Sequence, residues 1–295
     1  MKPPPFSYHD PTTVEEAVGL LNRLDNAKLL AGGQSLMPML NMRFVLPDHV
    51  IDLNRVKELS FIRESGNALD IGAMTRQRDL EYSDIVRRRC PLMDEAIRLV
   101  GHRQTRNRGT LGGSLCHLDP SAELVTVAAA LDARVSVAGP NGTREIAFSA
   151  FPAGYMAPAI EPNELVTAAH FPLWPEKHGY AFVEFARRHG DFAIVSAAAL
   201  LTEDGAGKIV GASVTLGGLG PAPVRARELE AALVGSVPTD DLLRVACEFC
   251  RKFEAIEDVH APSSYRQHLA AVLSRRALQQ ARGRLASHAG AARMH

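Results

Sequence analysis

The sequence predicts an α+β protein in two parts: an N-terminal α/β part of two subdomains, then a part in which an antiparallel sheet packs with helices. Three observations carry this. Two double-glycine turns, Ala31-Gly32-Gly33-Gln34-Ser35 and Thr110-Leu111-Gly112-Gly113-Ser114, follow strand-like or basic approaches and precede helix starts. Pro158, Pro162, Pro172 and Pro175 punctuate a passage that places a boundary near residue 176. Beyond it, apolar runs at 193–202 and 208–216 are joined by Glu203-Asp204-Gly205-Ala206-Gly207 and read as paired strands.

The elements follow in order. Thr12-Thr13-Val14-Glu15 has the form of a capping box, and Val14, Ala17, Val18 and Leu21 recur at helical spacing. Residues 27–31 read as a short buried strand entering the first turn, with Ser35 as cap for a helical stretch over 36–43. A strand at 50–53 closes a unit of residues 1–56. In 57–176, a strand at 69–73 leads to helices over 75–83 and 92–100. Asp119-Pro120 has the form of an N-cap followed by a first-turn proline, opening a helix over 121–131. Residues 134–148 form a hairpin turning at Pro140-Asn141-Gly142. The second part, 177–287, adds helices near 226–234, 239–253 and 263–285 to its strands, and a disordered tail is expected over 288–295.

Composition narrows the function. In 295 residues, Lys plus Arg and Asp plus Glu number 33 each, which argues against a nucleic-acid or anionic-membrane partner. Hydrophobic residues at 46% and charged residues at 22% are ordinary for a globular protein. No membrane span and no secretory h-region is visible, and four cysteines make no disulfide framework, so the expected compartment is the cytoplasm.

Adjacent glycines let a backbone come close to a ligand, and consecutive amides backed by a helix N-terminus attract an anion. Two such turns suggest that both sides of a diphosphate are held by backbone. Neither has the Rossmann spacing, and Gly207-Lys208 lacks the rest of a Walker A sequence. Arg106 and Arg108, before the second turn, face either a phosphate or partner on one reading, or solvent on the other. Cys247 and Cys250 fall in an apolar-periodic segment and read as core fillers rather than cluster ligands. Cys116-His117-x-Asp119 lacks the further ligands of a zinc site, and no general base is named.

Together, Leu30-Ala31-Gly32-Gly33-Gln34-Ser35, Ile71-Gly72-Ala73-Met74-Thr75 and Arg106-Asn107-Arg108-Gly109-Thr110-Leu111-Gly112-Gly113-Ser114 resemble the FAD-binding subunit of the xanthine dehydrogenase family. The resemblance looks strongest to the medium subunits of carbon monoxide dehydrogenase-type molybdenum hydroxylases and covers about residues 6–285. It implies an N-terminal FAD domain like that of vanillyl-alcohol oxidase, with the flavin lying between the two parts. No metal site is implied.

The resemblance also places the cofactor residues. Lys28, Leu29, Leu30, Ala31, Gly32, Gly33, Gln34, Ser35 and Leu36 would form the first FAD segment, with residues 32–35 at the diphosphate. Thr110, Gly112, Gly113 and Ser114 would form the second. Glu123 would accept hydrogen bonds from FAD hydroxyls, while Val100, Gly101, Leu165 and Val166 line the cofactor. Asp191 and Phe192 would flank the isoalloxazine. Phe192 departs from the family's frequent tyrosine, and Ser114 from its more usual asparagine.

As to function, the resemblance implies electron transfer. The chain would take electrons from a small iron–sulfur subunit beside a large molybdopterin subunit, and pass them to an external acceptor. The implied assembly is a dimer of heterotrimers. A stand-alone flavin oxidoreductase and a non-catalytic assembly protein are the alternatives, the second drawing on the helix 263–285 with its Arg275-Arg276 pair.

Overall fold

A computed structural model describes residues 1–292, which divide into two compact units. The first comprises Met1–Ile85, His102–Leu118 and Ala133–Pro172. The second comprises Val86–Gly101, Asp119–Asp132 and the chain from Leu173 onward. Three stretches of the predicted 57–176 subdomain, 86–101, 119–132 and its last residues from 173, therefore belong to the second unit.

In the first unit, β1 (Ser7–His9), β2 (Ala27–Leu30) and β3 (His49–Asp52) make a parallel sheet in the order β1-β3-β2. The helix Val14–Arg23 buries Ala17, Val18 and Leu21 in one cluster with Ile51 and Leu53 of this layer. Its cap sits one residue later than the capping-box reading. Thr13 is still extended, and its side chain accepts from the Glu16 amide at 3.1 Å, while the Glu16 carboxylate accepts from the Thr12 amide at 2.7 Å.

The second sheet of this unit is antiparallel throughout. Its strands are β4 (Ile62–Ser65), β5 (Ala68–Gly72), β6 (Arg134–Gly139) and β7 (Gly142–Ala147), with β8 (Pro152–Gly154) and β9 (Ala157–Pro158) pairing separately. Its centre is β10 (Leu165–Pro172), in the order β4-β5-β10-β6-β7. The proline-rich passage thus hides a central strand. Pro172 ends it, where a missing N–H costs the ladder least. Leu69, Ile71, Val135, Val137, Ala169 and Phe171 are buried on one face. The opposite face carries Asp70, Ser136 and His170. Ser136 Oγ lies 2.6 Å from His170 Nε2, and His170 Nδ1 lies 2.7 Å from Asp70 Oδ1. Ser136 sits in a strand paired on both sides, so these are cross-strand bonds of a polar sheet face rather than a nucleophile beside an oxyanion hole.

In the second unit, β11 (Gly179–Phe185), β12 (Val195–Glu203), β13 (Ile209–Gly217) and β14 (Val224–Arg225) form an antiparallel sheet in sequence order. The helix Ser263–Ala292 supplies Leu269, Ala270, Leu273, Ala277, Leu278, Ala281 and Leu285 to the core. This buried stripe belongs to the unit's core. This helix runs through 288–292 of the expected tail, and 293–295 lie outside the described residues.

The helix after Asp119 starts at Glu123, not at 121. Asp119 Oδ1 accepts from the Ser121 amide at 2.8 Å, so its carboxylate closes a local turn and Ala122 stands at the cap position. The segment 239–253 splits into the helix Asp240–Ala246 and a 3-10 stretch Cys247–Lys252. Both of its cysteines are buried in the core, and burial pushes their thiols up to about 12 for Cys247 and about 11 for Cys250. They are poor nucleophiles at neutral pH.

Glu184, on β11, has a buried Oε2 with no hydrogen-bond partner among the described residues, and burial raises its carboxyl from 4.5 to about 7. The folded state therefore binds this proton more tightly than the unfolded chain does. Its contribution to stability is full below pH 4.5 and is lost as pH rises through about 7. Urea unfolding between pH 5 and 8 should show stability falling across this window, and a flatter profile for Glu184→Gln.

Candidate functional site

The first glycine turn leaves β2 at Leu30 and reverses at Gly33, whose φ is +72°. Ala31 O accepts from Asn54 Nδ2 at 3.1 Å, and Gly33 O from the Met37 amide at 3.2 Å, which anchors the turn at both ends. Between these anchors, the amides of Gly32, Gly33, Gln34 and Ser35 have no protein acceptor among the described residues. Ser35 is itself in the helical region and does not cap the helix Leu36–Asn41 through its side chain. The expected cap is absent, and four consecutive donors are open.

The second turn is built differently. Thr110 is the N-cap of the helix Leu111–His117, so Gly112 and Gly113 lie inside its first turn rather than before it. Their amides are already used. Leu111 N donates to Thr75 O at 3.0 Å, Gly112 N to Ala73 O at 2.8 Å and Gly113 N to Thr110 Oγ1 at 3.1 Å. The donors left for a ligand are the Thr110 amide, the Thr110 hydroxyl, which still owns its proton, and the Ser114 hydroxyl.

Glycine here serves close packing. A Cβ on Gly112 would lie 2.6 Å from Ala73 Cβ, and one on Gly32 would lie 2.3 Å from Arg108 O and 2.7 Å from Gly109 Cα. A Cβ on Gly72 would lie 2.3 Å from Leu59 O. The three motifs of the family resemblance therefore occupy one place: residues 71–75 form the bed for the second turn, and the first turn lies directly on the second's approach. Of the four glycines in the two turns, only Gly33 has positive φ.

Arg106 is turned away from solvent. It is 8% exposed and makes a two-pronged ion pair with Glu81, at 2.8 and 3.1 Å. The signal that could have found this is Glu81 on a short helix, Gln77–Glu81, packed against the helix Arg103–Arg108 that the sequence reading missed. Sequence reasoning also missed Asn54, Arg76 and Gln77, which tie the turns together. Gln77 N donates to Gly109 O at 2.9 Å.

Lys28, Leu29 and Leu30 lie along β2, and Leu36 opens the following helix. Leu165 and Val166 start β10 and are buried, Leu165 in the cluster against which Leu29 and Ala31 pack. The other predicted residues belong to the second unit. Val100 and Gly101 follow the helix Pro91–Ile97, with φ +46° at Gly101. Glu123 is buried in the first turn of its helix. Asp191 lies 3.7 Å from Arg187, and Phe192 is 66% exposed.

Residues 4–174 match the family described as the FAD binding domain in molybdopterin dehydrogenase. The chain belongs to this family. Residues 180–281 match its companion, the CO dehydrogenase flavoprotein C-terminal domain. The chain is 39% identical to subunit alpha of the 6-hydroxypseudooxynicotine dehydrogenase complex of Paenarthrobacter nicotinovorans, over 95% of this chain and 96% of that one. It is 36% identical to the carbon monoxide dehydrogenase medium chain of Hydrogenophaga pseudoflava, over 97% and 100%. The solved carbon monoxide dehydrogenase of that organism lacking the Mo-pyranopterin moiety has a chain that superposes with a TM-score of 0.93 at 38% identity, covering 96% and 99%. FAD is thus the cofactor of this flavoprotein, and its relatives are subunits of multi-subunit dehydrogenases.

The residues present fit that cofactor. Four open amides and two hydroxyls are a donor set for a diphosphate, and the turn carrying the amides is held on neighbours that leave no room for a side chain at Gly32.

Proposed function

We propose that this chain is the electron-transfer subunit of a heteromeric molybdenum hydroxylase, taking electrons from an iron–sulfur subunit and passing them to an external acceptor. The observation that carries the reading is the row of four open amides at residues 32–35, within the segment matched to the FAD domain. Bound FAD supplies the redox chemistry. The chain's own residues hold it: amides 32–35 and the hydroxyls of Thr110 and Ser114 take the diphosphate.

The reading extends to the assembly. The relatives' names, medium chain and complex subunit, support partner chains, here a large molybdopterin subunit and a small iron–sulfur subunit in a dimer of heterotrimers. Among the described residues no helix is long and apolar enough to cross a membrane, in keeping with a place in the cytoplasm.

The test is co-expression with the neighbouring open reading frames and purification through this chain. One FAD per copy, and flavin reduction only when the partner chains and their substrate are present, is the expected result. Turnover by this chain alone with NAD(P)H and a substrate would overturn the subunit role. A co-purifying complex in which this chain holds no flavin would leave it an assembly protein.

A further inference from the structure

Arg76 stands where the two turns meet. Its guanidinium donates to Arg108 O and to Asn54 Oδ1, and Asn54 Nδ2 donates to Ala31 O at 3.1 Å. Arg108 O is the atom that a Cβ on Gly32 would meet at 2.3 Å. One side chain therefore reaches the backbone of the second turn's approach directly, and the first turn through a single asparagine. The same residue bridges to Thr110, the cap of the second turn.

The partners of Arg76 are unusual for a half-buried arginine. Both acceptors are neutral, and among the described residues no carboxylate stands within ion-pair distance of it. Two acidic groups, Asp79 on the following helix and Asp52 on β3, act on it only from beyond ion-pair distance, and Asp52 is engaged by Tyr8 Oη at 2.7 Å and by Asn54. Burial, and then the like charge of Arg108, lower the guanidinium from its ordinary value. By contrast, Arg106 on the same helix pair has its carboxylate in place. A partly desolvated cation with neutral partners is one anion short. The four open amides beside it are short of the same thing.

We propose that Arg76 is a positioning residue for the dinucleotide diphosphate, holding the two turns in register and supplying charge that balances the ligand. The proposal rests on the FAD reading above. The amides offer only dipoles to a doubly charged group, and a fixed guanidinium adds the monopole they lack.

The full-length chain, in its complex where one is recovered, is stripped of flavin and titrated with FAD at low and high salt, as wild type, Arg76→Lys and Arg76→Met. Arg76→Met is expected to weaken FAD binding about 30-fold, the loss of one or two charge-assisted hydrogen bonds. Arg76→Lys should recover to within about fivefold of wild type at low salt, and Arg76→Met should show a shallower salt dependence than either. ADP, used as a competitor, should lose affinity in parallel with FAD. FAD binding by Arg76→Met within about twofold of wild type would overturn the proposal. So would equal weakening in both variants with a lowered melting temperature of the flavin-free protein, which would leave Arg76 a structural clip. A wild-type chain that binds no FAD would instead sink the reading on which this one rests.

Discussion

Gly32→Val is expected to unfold at markedly lower urea and to release FAD. A Cβ at residue 32 would come within 2.3 Å of Arg108 O and 2.8 Å of Arg108 C, both backbone atoms that no side-chain rotation can move aside. The two turns must separate, and overpacking of this kind costs about 3 kcal/mol. Separation also pulls Arg108 O off Arg76 and strains the bond from Asn54 to Ala31. FAD affinity should fall by at least about tenfold, as one or more diphosphate hydrogen bonds go out of register. Gly205→Ala is the control, since a Cβ there meets nothing within 4 Å; it should change stability by less than about 0.5 kcal/mol. Chemical unfolding and flavin titration of both variants decide the matter. A Gly32→Val chain as stable as wild type would mean that the turns do not lie on one another.

Arg266→Met should be the other severe variant, by a different route. Arg266 is 3% exposed, and Nη1 donates to Ile194 O and to Gly218 O, the latter at 2.9 Å. Nη2 donates to Asp258 at 2.6 Å. Asp258 is 37% exposed and can return to water, so removing the guanidinium strands the two buried carbonyls rather than the carboxylate. At roughly 1–3 kcal/mol for each unsatisfied group, the cost is about 3 kcal/mol. The loss should be local as well as global. Ile194 closes the loop that carries Asp191 and Phe192, so hydrogen exchange at 191–194 should rise before the rest of the unit opens. A shift below 1 kcal/mol would mean that water replaces the guanidinium.

Much of the fold and part of the candidate site's geometry were legible in the sequence. Periodicity disclosed the helix Val14–Arg23 and the long strands β12 and β13, because each buries one regular face. β10 was not legible, since prolines around it mimic a loop and its centrality depends on strands far off in sequence. The division into units was equally hidden: Val86–Gly101 and Asp119–Asp132 pack with distant residues, which no local pattern records. The glycines announced a close approach, but they did not say to what. Gly32 and Gly112 approach the chain itself, while the open donors come from the amides around Gly33. Arg76 was invisible for a plain reason: one arginine before a short helix carries no sign that both its acceptors will be neutral.

The difference between the two turns has a consequence for the order of events in making the holoprotein. The helix Leu111–His117 has its first-turn amides satisfied by Thr75, Ala73 and Thr110, so that half of the receptor is finished when the antiparallel sheet closes. The loop at 32–35 is not finished: water must serve its amides until a ligand arrives. On the proposal that these turns hold the FAD diphosphate, cofactor insertion would be a late step on a prebuilt platform, and flavin loss a reversible local event rather than the start of unfolding.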